Sequence, residues 1–181
     1  MVGQAPTRAP VYVSLLRGVN VGGKNKLAMA DLRLLFESLG LADVRTFIQS
    51  GNVIFKSDQV PNSSLLEGAI AERFGIATDV MLRTASELGI VAQRSPFLED
   101  EGTHIYVGFM AREPSKAVVA ALDVAHFGAE RSKIVGSEVY LSLPSGMGEA
   151  KLPSYLTRQL KVPMTVRNWN TVKKLLELSL A

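Results

Sequence analysis

Cysteine is absent from all 181 residues, and histidine occurs only twice, as His104 and His126. The first absence excludes disulfides, thiolate nucleophiles, iron–sulfur clusters and cysteine-ligated zinc. The second leaves no histidine-rich metal centre, and no metal or cofactor is expected. No apolar run reaches the roughly 18 residues of a membrane-spanning helix. The opening MVGQAPTRAP lacks the apolar core of a secretory signal. No G-x-S-x-G nucleophile elbow occurs, and neither histidine adjoins a nucleophile motif. The acids Glu99, Asp100 and Glu101 run together without metal-ligand spacing. Charged residues make up 20% of the chain and hydrophobic ones 47%. That is a globular balance, and a cytoplasmic location without a membrane partner is the expectation.

Acid is also missing from particular places. Residues 1–30 carry Arg8, Arg17, Lys24 and Lys26 and no carboxylate. Residues 149–174 carry Lys151, Arg158, Lys161, Arg167, Lys173 and Lys174 against Glu149 alone. The net charge of +3 therefore conceals two basic ends flanking an acidic middle. Such a distribution fits either solvated surface cations or an anionic ligand held between the ends.

The first ten residues, with two prolines and no periodicity, read as a flexible terminus. VYVSLLR (11–17) alternates as a strand, and Met29 to Leu39 repeats as an amphipathic helix stopped by Gly40. Strands are predicted at 44–49 and 52–57, joined by a two-residue hairpin at Ser50-Gly51. A helix capped by Asn62 or Ser63 runs to Phe74, with Gly75 as its stop, and a strand follows at 78–83. This is the β-α-β-β-α-β order of a ferredoxin-like unit. Thr84 and Glu87 form a capping box for a linking helix that ends before Pro96.

The order then repeats. Strands are expected at 103–110, 131–135, 138–143 and 163–167, with helices at 114–122 and 152–160. Asn168 caps a last helix whose apolar face carries Trp169, Val172, Leu175 and Leu176. The fold class is therefore α+β: two ferredoxin-like (βαββαβ) sub-domains with antiparallel sheets, over residues 11–95 and 101–181, and an extra C-terminal helix. The sheet face opposite the helices, assigned Tyr12, Leu16, Phe47, Ile54 and Met81, carries enough apolar surface to require cover by the second half or by a homodimer partner.

RGVNVGGKNKLAMADLRLL (17–35), DVRTFIQSGNVIF (43–55) and RNWNTVKKL (167–175) resemble the bacterial domain-of-unknown-function family 1697 from Val11 onward. The resemblance implies the same pair of ferredoxin-like units and no particular activity. Two positions depart from the pattern: Ala150 where a serine is expected before Lys151-Leu152, and Val166 where a threonine is expected before Arg167.

Gly18 to Lys24 matches the G-x-x-x-x-G-K spacing of a phosphate loop, but Asn25 stands where a magnesium-binding hydroxyl belongs. An antiparallel sheet is also the wrong frame for an NTPase. A glycine-rich turn can still cradle an anion with its N–H groups. Arg17 and Lys24 would add charge there, and Asn20 and Asn25 directional donors beside Gly22 and Gly23. The alternative is a tight connection whose asparagines bond their own backbone. In a ferredoxin-like sheet this loop lies beside the hairpin carrying Gln49, Ser50 and Asn52. In the second half, the loop ending at Lys151 lies beside Arg167, Asn168 and Asn170. Trp169 reads as core, with base stacking the alternative. Tyr12 and Phe55 are placed on opposite faces, which argues against an RNA-binding aromatic pair. The leading expectation is a phosphate-bearing ligand, a nucleotide or nucleic acid, held at these basic corners. An enzyme acting on a small anionic substrate, or a partner-binding module without ligand, are the alternatives.

Overall fold

The computed structural model describes residues 9–181, so the N-terminal expectation lies largely outside the described residues. The first half runs β1 (Val11–Leu16), α1 (Met29–Ser38), β2 (Ala42–Phe47), β3 (Asn52–Lys56), α2 (Ser63–Phe74), β4 (Val80–Thr84) and α3 (Ala85–Gln93). The second runs β5 (Ile105–Met110), α4 (Lys116–Ala120), β6 (Arg131–Val135), β7 (Glu138–Ser142), α5 (Leu152–Gln159), β8 (Met164–Asn168) and α6 (Trp169–Leu180). The two antiparallel sheets have orders β2-β3-β1-β4 and β6-β7-β5-β8. These are two ferredoxin-like sheets plus a terminal helix, as expected.

The local signals act as their chemistry dictates. Asn62 caps α2 by accepting from the Ser64 N–H, and Gly75 ends it at φ +68°. The Thr84–Glu87 capping box opens α3. Asn168 caps α6 through the Asn170 N–H. Gly136, at φ +60°, lies in the two-residue turn between β6 and β7. The β2–β3 turn differs from expectation. The last paired residues are Phe47 and Asn52, so four residues, 48–51, make the connection. Ile48 and Gly51 both adopt positive φ, and the Asn52 Nδ2 donates to the Phe47 carbonyl to close the longer loop.

One face of the first sheet packs under α1 and α2 through Tyr12, Leu16, Phe36, Phe55, Leu66 and Ile70. Tyr12 and Phe55 are cross-strand neighbours with stacked rings 5.8 Å apart, so their predicted opposition is corrected. Strand alternation puts them on one face, and that face is buried beneath helices. The opposite face presents Val13, Leu15, Ile54 and Met81 rather than Tyr12 and Leu16. It shares one core with Val107, Phe109 and Tyr140 of the second sheet and with the packed helices α3 and α6. The surface offered to a homodimer is thus covered by the chain's own second half. A third core lies between the second sheet's outer face and α5, centred on Leu141, Leu152 and Leu156. No helix among the described residues is long and apolar enough to cross a membrane.

Candidate functional site

The segment after β1 is a miniature hairpin. The Lys24 N–H donates to the Val21 carbonyl at 3.0 Å, and the Asn20 N–H to the Asn25 carbonyl at 3.0 Å. Gly22 and Gly23, at φ +57° and +73°, supply the two left-handed residues that a type I′ turn demands. This is a projecting finger and not the concave nest of a phosphate loop.

Asn20 and Asn25 also take positive φ, which turns their neighbours' peptide groups out of regular pairing. Their side chains make good that loss. Asn20 accepts from the Leu27 N–H and donates to the carbonyls of Leu27 and Gln49, all at 2.8 Å. Asn25 donates to the Gly18 carbonyl at 3.0 Å. Asn20 thus spends its amide on building the finger and bracing it to the hairpin, and Asn25 spends one donor on closing it. The finger exposes Val21, Gly22, Gly23, Lys24 and Lys26. Neither lysine ammonium has an ion-pair partner among the described residues.

At the finger's base, the Arg17 Nη1 pairs with the Asp79 carboxylate at 2.9 Å, half exposed. The Thr78 hydroxyl donates to the Arg17 carbonyl at 2.8 Å. Gln49 is exposed, and Ser50 is half-buried. Asn52 is buried, its Nδ2 donating to Phe47 O and Ser50 Oγ at 2.9 Å.

Arg167 reaches this corner from β8 of the other sheet. Its Nε donates to Asn52 Oδ1 at 2.7 Å, its Nη1 to Thr165 Oγ1 and the Val166 carbonyl, and its Nη2 to the carbonyls of Leu16 and Ser50. All five N–H groups are thereby used, which corrects its reading as a direct ligand donor. Every acceptor is neutral. Burial in this apolar setting pushes the guanidinium pKa down to about 10, and it stays a cation at neutral pH.

The remaining predicted residues lie at the end of the second sheet. The N–H groups of Lys151 and Leu152 donate to the Glu130 carboxylate at 3.1 and 2.8 Å. The α5 N-terminus is thus already occupied by the protein's own anion, and no hydrogen bond or ion pair among the described residues joins Lys151 to the finger corner. Asn168 Nδ2 donates to the Thr103 carbonyl, Asn170 is exposed, and Trp169 lies in the central core. The run Glu99–Glu101 holds no metal cluster among the described residues. Asp100 instead takes hydrogen bonds from Ser142 and Arg131, which hold its carboxyl below the usual range.

Arg83 is the residue that reading the sequence overlooks. On β4 it mirrors Arg167: its Nη2 donates to the Met110 carbonyl at the end of β5 and to Ser137 O in the β6–β7 turn. Its Nη1 donates to the preceding residue's carbonyl, and its Nε to Glu138 at 2.8 Å. Asn52 and Glu138 are each the first residue of the third strand in their half. The halves thus exchange arginines in an approximate twofold relation. The signal was present as an arginine directly before the cap of each half's last helix, Arg83-Thr84 and Arg167-Asn168.

The model of a family described as "Protein of unknown function (DUF1697)" matches residues 10–140, and the chain belongs to that family. Among solved structures it is similar to the conserved bacterial protein SP0830 from Streptococcus pneumoniae. That match has 24% identity and a TM-score of 0.66, and covers 94% of this chain and 98% of the other. It establishes a shared fold. No curated protein matches the chain.

Proposed function

We propose that the protein binds a phosphate-bearing ligand, a nucleotide or nucleic acid, at the corner formed by the finger, the β2–β3 hairpin and Arg167. The observation that carries this reading is the charge. Arg17 and Arg167 lie at the end of β1 from which the finger carrying Lys24 and Lys26 projects, and Asp79 is the one carboxylate among the described residues paired with any of them. Lys24 and Lys26 are free to make charge-assisted hydrogen bonds, and the buried Arg167 contributes its field from below.

The test is calorimetric titration of nucleotides and short oligonucleotides into wild type and variants. Loss of one charge-assisted bond costs roughly 1.5–3 kcal/mol, so Lys24→Ala and Lys26→Ala should each weaken binding about tenfold or more. Lys56→Ala is the control, since Lys56 pairs with Asp43 at the opposite end of the sheet. A steep salt dependence identifies a polymer, and a shallow one a metabolite. Unchanged affinity in both lysine variants, or no binding by wild type, overturns the reading.

A further inference from the structure

The two arginine corners are alike in backbone and differ in charge: Arg83 has a carboxylate partner, and Arg167 has only neutral ones. At the second corner Arg83 meets Glu138, and α3 carries Glu87 at the third position of its first turn. At the first corner Arg167 meets the neutral Asn52, and α6 carries Thr171 at the position matching Glu87, with no acid in its first turn. The carboxylate paired with Arg83 and the carboxylate on the first turn of α3, which lines the same pocket, thus both have neutral counterparts at the other corner. A buried cation without a counter-charge is costly, and here it bonds the Leu16 carbonyl at the base of the finger that carries the exposed, unpaired Lys24 and Lys26. The surrounding carbonyls hold the guanidinium without cancelling its charge.

We propose that Asn52 and Thr171 act as charge-setting residues. By keeping carboxylates off Arg167, while Asp79 pairs only with Arg17, they leave the Arg167 charge available to a phosphate group and confine anion binding to one of the two corners. This rests on the anion-binding reading of the same corner. Asn52 and Thr171 need not touch the ligand, and their role is in the field and in the orientation of Arg167.

Two variants test it independently. Asn52→Asp places a carboxylate on the Arg167 Nε, but it forfeits the amide bonds to Phe47 and Ser50 and can disturb the hairpin. Thr171→Glu places a carboxylate in the first turn of α6, where the helix dipole favours an acid, so it keeps the helix while adding the missing charge. Binding of inorganic pyrophosphate and of a short oligothymidylate is measured at low salt, with folding followed by circular dichroism. Each variant should weaken binding of whichever probe wild type holds by about tenfold, and the loss should shrink as salt rises. Pyrophosphate binding identifies a compact ligand, and binding of the oligonucleotide alone a polymer. Glu138→Gln, at the other corner, should leave affinity unchanged. If wild type binds and a folded Thr171→Glu protein binds equally well, the charge-setting role is wrong while the anion site stands. If wild type binds neither probe, the site itself is wrong and this inference falls with it.

Discussion

Replacing Arg167 by methionine separates its structural contribution from its charge. The substitution keeps an unbranched apolar stem and removes five hydrogen bonds. The acceptors are not affected equally. The Leu16 carbonyl retains the Thr165 hydroxyl at 3.2 Å, and the Ser50 carbonyl lies near the surface. Asn52 Oδ1 belongs to a fully buried residue, and Arg167 is its donor. Its orphaning alone costs about 1–3 kcal/mol. Lost charge-assisted bonds add to this, while relief from burying an uncompensated cation subtracts. The net expectation is a destabilisation of about 2–4 kcal/mol, within the range of a broken buried network. Urea unfolding read by circular dichroism measures it. Arg45→Met, which removes one exposed bond to the Leu178 carbonyl, should change stability by no more than about 0.5 kcal/mol. Hydrogen exchange adds a local readout: the amides of Gly51 and Asn52 should lose protection before those of β5. A loss below about 1 kcal/mol, with the hairpin as protected as in wild type, would refute the argument that Arg167 clasps the two sheets.

Gly51→Ala should destabilise by about 3 kcal/mol in the same unfolding assay. Its φ is +76°, and an added Cβ would lie 2.7 Å from Val19 Cγ2 and 2.8 Å from Leu16 Cβ, combining left-handed strain with overpacking. The Asp100 carboxyl should titrate below 3.8 in the folded protein, chiefly because Ser142 donates to it and also because of Arg131. A depressed folded pKa means that its contribution is present above the unfolded value and is lost as pH falls through the folded one. Ser142→Ala should move the titration, followed by carbon-detected NMR, back upward, and an unmoved curve would exclude the hydroxyl as the cause.

Sequence alone determined the elements and their order, because each is written in local chemistry. Asn62, the Thr84–Glu87 pair and Asn168 name helix starts, Gly40 and Gly75 name stops, and alternation marks β1, β3 and β5 as strands. It also determined that the loop after β1 would lie beside the β2–β3 hairpin, because the β-α-β-β-α-β order fixes which loops share a sheet end. Tertiary structure alone decided what those residues do there. Whether an asparagine faces outward or closes its own loop depends on which peptide groups the left-handed turns leave unpaired, and at Asn20 and Asn25 those lie within the finger. Which face of β1 meets the helices depends on strand register, so Tyr12 and Phe55 could not be placed by counting along separate strands. Arg83 and Arg167 each bond across to the other half, at sequence separations of 27–55 and 115–151 residues. No local pattern encodes contacts that form only when the inner faces of two sheets bury each other. The contrast between Glu138 and Asn52 is visible in the chain as two letters, and it gains meaning only when the fold sets both residues against equivalent arginines.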